Sequence, residues 1–282
     1  MVAKKYLILL IVIAALFAPP LWWANLNHSQ KQANLKTALD QATADVSPAL
    51  PAYQAPDLIK LPAPNDKTLS IPILMYHEIS VGPDLMWVSD QNFRAQMQYL
   101  HDNGYQTITL AQARELLAGH FDTNKKVVLT FDDGYSTFYT NAWPILKELN
   151  QTATLFVISG LVGNPEYVTW DQIRFLISQG IEIGGHTRTH PLLPTLTTQA
   201  AIAEISGSKQ DIEAQLGQSI SSFCYPTGKY NSQIVEQVKM AGYTSAVTMV
   251  QRKASSDDNL LLLPRWGVYQ NDSRDHFVTL IQ

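Results

Sequence analysis

Cysteine is almost absent from this chain of 282 residues: Cys224 stands alone, which excludes an intrachain disulfide and leaves the redox compartment open. Positive charge is in no excess. Twenty Lys and Arg face 24 Asp and Glu, and the net charge of −4 gives no electrostatic reason to expect a nucleic-acid partner. No internal repeat is present. Charged residues make up only 16% of the chain, whereas hydrophobic residues make up 46%, enough for a substantial core in one large or two small domains.

One long apolar run stands at the amino terminus. Lys4 and Lys5 precede Tyr6 to Ala18, and Pro19, Pro20, Leu21, Trp22 and Trp23 follow. With that tail the stretch approaches the ~20 residues a bilayer requires. Basic residues before it suit an inside amino terminus, and the paired Trp suit the far interface. A good cleavage site is lacking, since a cut after Ala18 leaves Pro19 next and a cut after Ala24 puts bulky Trp22 three positions back. No Cys is placed for lipidation. Residues 1–24 are therefore expected to be an uncleaved signal anchor in the cell membrane, with the remainder outside the cytoplasm; secretion after cleavage is the alternative. Residues 25–70 turn polar and then proline-rich (Pro48, Pro51, Pro56, Pro62, Pro64) and read as an extended linker, with a short polar helix over Gln30 to Thr43.

Residues 71–282 alternate apolar strand-like runs with helical spacing. The strands are expected at Ile71–Tyr76, Thr107–Thr109, Val127–Phe131, Thr154–Ile158, Ile181–Ile183, Phe223–Tyr225, Ser245–Thr248 and Leu261–Leu263. Between them fall Phe93, Met97 and Leu100; Ile145 and Leu149; Ile202, Ile205, Ile212 and Leu216; and Ile234 and Val238, at helical intervals. Thr169-Trp170-Asp171-Gln172 has the form of a capping box. The fold class is α/β, a closed or nearly closed (β/α) barrel of seven or eight strands, whose chemistry belongs at the carboxyl ends of the strands.

Those ends carry residues a core has no use for. The first strand ends in His77-Glu78, the third in Asp132-Asp133-Gly134, the fifth in Gly184-Gly185-His186-Thr187-Arg188-Thr189-His190-Pro191, and the sixth in Pro226-Thr227-Gly228. Two adjacent carboxylates repel and need partners. His186 and His190 follow a strand and two glycines and are closed by a proline, which places them on a sharp turn. A carboxylate from the Asp132-Asp133 turn completes two His and one carboxylate, a set that leaves positions open on a divalent ion for water and substrate.

Thr130-Phe131-Asp132-Asp133-Gly134 together with His186-Thr187-Arg188-Thr189-His190 resembles the first two motifs of the polysaccharide deacetylases, the NodB-homology or carbohydrate esterase family 4 proteins. The similarity runs from about Ile71 to the carboxyl end. It implies a distorted β/α barrel that removes acetyl groups from N-acetylated glycans with a divalent metal, often zinc. Residue by residue, it implies Asp132 as the catalytic base and Asp133, His186 and His190 as the metal ligands.

The sequence also departs from the pattern. Phe223-Cys224-Tyr225-Pro226-Thr227-Gly228 resembles the third motif, with Cys224 in place of the usual arginine and Thr227 in place of the aromatic residue. Its Tyr225 and Thr227 are candidate oxyanion or substrate contacts, and the Thr227 main-chain N–H survives the substitution. No fourth motif and no carboxyl-terminal Leu-x-His are present. Met75-Tyr76-His77-Glu78 ahead of the first motif instead resembles the circularly permuted branch that includes poly-N-acetylglucosamine deacetylases. That order implies His77 as the general acid, with Glu78 or a more distant carboxylate to hold its charge. Arg265, in Leu263-Pro264-Arg265-Trp266-Gly267, is the candidate for the missing guanidinium near Asp132. Tyr76, Tyr135, Trp170 and Trp266 are candidates for a sugar-binding groove, though Trp170 and Trp266 read equally well as core. His28, His101, His120 and His276 read as solvated or packing residues, and Cys224 as a small buried hydrophobe.

The expected activity is metal-assisted deacetylation of an N-acetylglucosamine-containing polysaccharide. O-acetyl ester hydrolysis at the same site and an inactive glycan-binding wall protein are the alternatives. The oligomeric state is not legible in the sequence.

Overall fold

The computed structural model describes residues 69–119 and 121–282. The expected anchor, almost all of the linker, His28 and His120 lie outside the described residues. Among the described residues no helix is long and apolar enough to cross a membrane.

Eight strands form the main sheet: β1 (Ile73–Tyr76), β2 (Gln106–Ile108), β3 (Lys126–Phe131), β4 (Thr154–Val157), β5 (Glu182–Gly185), β6 (Ser222–Cys224), β7 (Ser245–Val247) and β8 (Trp266–Gly267). Their order is β7-β6-β5-β4-β3-β1-β8, with β2 paired to the start of β3, and every pairing is parallel. Among the described residues the α-helices are α1 (Asp90–Asp102), α2 (Leu110–Gly119), α3 (Trp143–Glu148), α4 (Trp170–Ser178), α5 (Thr198–Leu216), α6 (Ser232–Met240) and α7 (Arg274–Ile281). The two edges of the sheet approach each other through a single segment. Leu263 bridges to Val247 of β7, and three residues later Trp266 pairs with Leu74 of β1. The sheet is thus curled into a barrel whose last side is one short stretch of chain.

Two expectations shift here. The last strand is Trp266–Gly267 and not Leu261–Leu263, because Pro264 has no N–H to continue a ladder begun at Leu263. The paired glycines Gly184 and Gly185 belong to β5 and not to the turn after it. A Cβ on Gly184 would lie 2.5 Å from the Phe156 ring, and one on Gly185 would lie 2.2 Å from the Tyr243 hydroxyl. Packing, not turning, requires glycine at both. The capping box on α4 forms as expected, with Thr169 and Gln172 bonding each other's main-chain N–H groups. Ile202, one of the apolar residues at helical intervals, is 44% exposed on α5.

Successive side chains of a strand go to opposite faces, and this sorts the core into two parts. Leu74, Tyr76, Val127, Leu129, Phe131, Leu155, Val157 and Phe223 join a large cluster beneath the helices. Ile73, Val128, Phe156, Cys224, Val247 and Leu263 come from the other face and form the barrel interior. Leu110, Ala113, Leu116 and Leu117 of α2 fill its lower end. The first N–H groups of that helix bond Thr154 Oγ1 and Glu182 Oε2, where β4 and β5 start. The lower end is therefore sealed, and the upper end, at the carboxyl ends of the strands, is left for other chemistry.

Candidate active site

Moving up the interior face two residues at a time gives Ile73, Met75 and His77 on one strand and Val128, Thr130 and Asp132 on another. Leu263 and Arg265 follow the same step. The polar groups singled out in the sequence are thus the top layer of the barrel interior, directly above its apolar filling.

Asp132 and Arg265 form the floor of the site. Arg265 is fully buried, and each of its five N–H donors has an acceptor. Nε donates to the Thr248 carbonyl at 3.0 Å. Nη1 donates to Thr130 Oγ1 at 2.9 Å and to Asp132 Oδ1 at 2.7 Å, and Nη2 to Asp132 Oδ2 at 2.8 Å and Cys224 Sγ at 3.3 Å. Burial disfavours a charge on Asp132, but the Arg265 guanidinium outweighs it and holds the carboxyl well below the usual carboxylate range. Burial likewise opposes the charge on Arg265, and Asp132 more than offsets it. Cys224, at the position of the missing arginine, leaves the room that the Arg265 guanidinium occupies. Its thiol, pushed up by burial, stays protonated and faces Asp132 Oδ2 at 3.4 Å.

The next residue has the opposite surroundings. Asp133 turns off the strand end with φ at 71°, a conformation Asp tolerates better than most residues. Its Oδ1 lies 3.4 Å from His186 Nε2 and 3.7 Å from His190 Nε2. Burial raises the Asp133 pKa, and the His186 bond and charge more than reverse that. His186 Nδ1 lies 2.8 Å from the Cys224 carbonyl oxygen, which can only accept. Nδ1 therefore carries a proton, and Nε2 is aimed at Asp133. Burial opposes a charge on His186 too, and Cys224 and the two aspartates hold its pKa above the ordinary value. His190, lowered by burial and then by His186, is neutral at physiological pH.

Among the described residues, two groups have the makings of a metal site: Asp133, His186 and His190, and Asp132, His186 and Cys224. The donor chemistry separates them. In the second group both carboxylate oxygens are bound by a guanidinium and the thiol is protonated, so neither Asp132 nor Cys224 is free to bind a cation. The first group fits. Bonds of about 2.0–2.1 Å to a tetrahedral ion put neighbouring ligand atoms about 3.4 Å apart, close to the spacings of Asp133 with the two histidines.

Other expected site residues divide. His77 Nε2 lies 3.9 Å from Asp132 Oδ2. The carboxylate facing it is Asp132 and not Glu78. Thr227 stands at φ 55° in a turn whose bonds run from Gly228 N–H to the Tyr225 carbonyl and from Lys229 N–H to the Pro226 carbonyl, leaving its own N–H outside both. Tyr225 is not placed as a contact: it is 1% exposed, bonds the Leu261 carbonyl through its hydroxyl at 3.0 Å, and belongs to the large core cluster. Trp170 and Trp266 are half-buried and pack against that same core. Tyr76 is fully buried and bonds Gln96. Tyr135 stacks on Tyr167, ring centroids 5.3 Å apart. Residues to which the sequence assigns no site role also take part. Thr130 and Thr248 orient Arg265, and Glu204 and Asp211 of α5 bind the turn that bears the histidines.

Comparison with known proteins follows the same lines. Residues 121–246 match the sequence profile of the polysaccharide deacetylase family. YxkH of Bacillus subtilis (strain 168), itself named for these deacetylases, is 36% identical over 218 residues, covering 77% of this chain and 78% of its own. The chain belongs to the polysaccharide deacetylase family. The poly-beta-1,6-N-acetyl-D-glucosamine N-deacetylase of Escherichia coli (strain K12) is 24% identical over 307 residues, 91% of this chain and 45% of that one. The chain therefore aligns with less than half the length of that relative. Among solved structures, the Streptococcus pyogenes deacetylase PplD in complex with acetate superposes with a TM-score of 0.73 at 30% identity, covering 77% of this chain and all of PplD. The curled parallel sheet described above fits a deacetylase barrel.

Proposed function

We propose that this member of the family is a metal-dependent hydrolase that removes acetyl groups from N-acetylglucosamine-containing polysaccharide outside the cytoplasm. The observation that carries the reading is the convergence of Asp133, His186 and His190 on one point of the rim, beside a carboxylate that Arg265 keeps ionised. Those three residues would hold the ion, with zinc the natural choice for two imidazoles and one carboxylate. When bound, a divalent ion supplies Lewis-acid activation of water and of the acetyl carbonyl.

The protein's own groups do the rest. Asp132 takes the proton of the attacking water. The Thr227 N–H donates to the oxygen that becomes negative in the tetrahedral intermediate. His77 delivers a proton to the sugar nitrogen as the C–N bond breaks, so that the amine leaves neutral. The polymer class comes from the name of the Escherichia coli relative, a poly-beta-1,6-N-acetyl-D-glucosamine N-deacetylase. The apolar run behind Lys4 and Lys5 supports a single-pass anchor; amino-terminal sequencing of the protein from its native membrane is expected to begin near Met1, and a soluble form starting after Ala24 would replace the anchor with a cleaved signal.

The test of activity is acetate release from chitooligosaccharides and from poly-β-1,6-N-acetylglucosamine, before and after chelation. Release is expected to stop with the chelator and return with zinc. Acetate from O-acetylated glycans alone would make the protein an esterase. No release from any acetylated glycan by the zinc-loaded protein would leave it a glycan-binding protein.

A further inference from the structure

The turn that carries two of the three candidate ligands is strained and yet pinned on every side. Thr187 and His190 hold φ at 64° and 59°, a region that residues other than glycine rarely adopt. Such a turn persists only where its surroundings over-determine it. On its inner side the Ser159 N–H bonds the Thr187 carbonyl at 3.1 Å and the Gly160 N–H bonds the Arg188 carbonyl at 3.0 Å. The His190 N–H bonds Thr187 Oγ1 at 3.0 Å.

The outer side is held by α5. Glu204 Oε2 accepts the N–H groups of Arg188 and Thr189, each at 2.9 Å, and its Oε1 accepts the Thr189 hydroxyl at 2.8 Å. Two turns along, the Arg188 guanidinium forks onto Asp211, with Nε at 2.7 Å and Nη2 at 2.6 Å. Glu204, Gly207 and Asp211 stand at i, i+3 and i+7, on a single stripe of the helix. Gly207 is the reason the turn can lie against that stripe, since a Cβ there would sit 2.4 Å from Arg188 Cζ. Glycine is a poor residue for the middle of a 19-residue helix. Its place between the two carboxylates is explained by the side chain lying over it.

We propose that Glu204 and Asp211 are positioning residues for the metal site: they hold the turn in its strained form, which keeps His190 directed at Asp133 and so sets the affinity for the ion without touching it. Freed from Glu204, Thr187 and His190 relax toward negative φ and His190 swings away. The inference rests on reading Asp133, His186 and His190 as ligands.

The experiment uses the full-length protein stripped with a chelator, with zinc affinity measured by competition against a chromophoric chelator and melting of the metal-free form recorded alongside. Glu204→Ala is expected to weaken zinc binding by about 10–100-fold. Asp211→Asn is expected to weaken it less, because that ion pair is half-exposed. Glu213→Gln is the control: it removes another carboxylate of α5, one that pairs with Lys209 and the Ile220 N–H, away from the turn. It is expected to lower the melting temperature and leave zinc affinity alone. Should Glu204→Ala not fold, Glu204→Gln keeps the shape and must still weaken zinc while melting no lower than Glu213→Gln. Zinc affinity within twofold of the parent in the Glu204 variants, or the same loss in Glu213→Gln, overturns the proposal. Asp133→Asn separates the two readings. If it binds zinc as the parent does, the metal assignment fails; if it loses zinc while the Glu204 variants keep it, only the positioning role fails.

Discussion

Asp132 and Asp133 are neighbours in the chain and have the same side chain, yet the barrel gives them opposite duties. Asp132 continues the inward face of β3, so it is buried and both its oxygens are bound by the Arg265 guanidinium. Asp133 leaves the strand in a left-handed conformation and presents Oδ1 to two imidazoles at the rim. The first is held by charge pairing in a sealed place, the second by the shape of a turn at an open one. A carboxylate saturated by a guanidinium can accept a proton but has little left for a cation. A carboxylate that faces two imidazole nitrogens and no guanidinium has its oxygens left for one. The alternation of a β-strand and one residue of positive φ are enough to separate a base from a ligand.

The largest effects come from removing each charge in turn with its shape retained. Asp132→Asn leaves the buried Arg265 guanidinium uncompensated, and breaking one partner of a buried pair costs about 3–5 kcal/mol. It should therefore lose both activity and stability, read by acetate release and by denaturant unfolding of the metal-free protein. Asp133→Asn should lose zinc and activity, with the unfolding free energy of the metal-free form within about 1 kcal/mol of the parent. Equal stability losses in the two variants would break the contrast, since it would mean that the rim turn is as much a part of the core as the floor.

How much of this was legible beforehand differs between the two sides. Asp133, His186 and His190 stood out because their residue types and spacing suit a metal, and the strand that aims Asp132 inward was plain from Val127 to Phe131. What could not be read was the support. Arg265 lies 133 positions from Asp132, and only the closing of the sheet by Leu263 to Gly267 joins them. Thr130 looked like part of a strand because it is one; its hydroxyl acquires a second use only once Arg265 is beside it. Glycine in a sequence marks turns, whereas the role of Gly184 and Gly185 depends on Phe156 and Tyr243, distant in the chain. Tyr225 followed a motif pattern to a place where its hydroxyl is already bonded to Leu261. Local periodicity gives the faces of strands and helices, and partners distant in sequence decide which polar group is free to act.

A smaller effect sharpens the comparison from the mouth of the site. His77 ends the inward column of β1 and faces Asp132, not the ligand turn. His77→Ala should keep its zinc, because no ligand is disturbed, and lose about 10²–10⁴-fold in rate on N-acetyl substrates. Aryl acetates with good leaving groups need no proton on departure and should suffer much less. Equal losses on both kinds of substrate, or none on either, would remove His77 from the chemistry and leave it a residue that closes the strand.

The smallest expected effect concerns how Arg265 is aimed. Thr130 Oγ1 donates to the Leu74 carbonyl at 2.8 Å and accepts from Arg265 Nη1 at 2.9 Å, so one hydroxyl ties the guanidinium to the main chain of β1. Thr130→Val keeps the volume and the β-branched shape but deletes both bonds. One buried N–H of Arg265 is then left without a partner, while the Leu74 carbonyl keeps its ladder bond, at a cost of about 1–3 kcal/mol. The Asp132 pair itself remains, held by two other bonds and by the Thr248 carbonyl, so the protein should fold and retain its zinc. Turnover should fall because Asp132 is less firmly directed at the attacking water, with KM little changed, since Thr130 lies beneath the floor and out of reach of substrate. Thr130→Ser restores the hydroxyl and should recover most of the turnover while remaining somewhat less stable for want of a methyl group. That split decides the matter: if Ser and Val behave alike in turnover, the hydroxyl at 130 is only packing, and Asp132 is aimed by Arg265 alone.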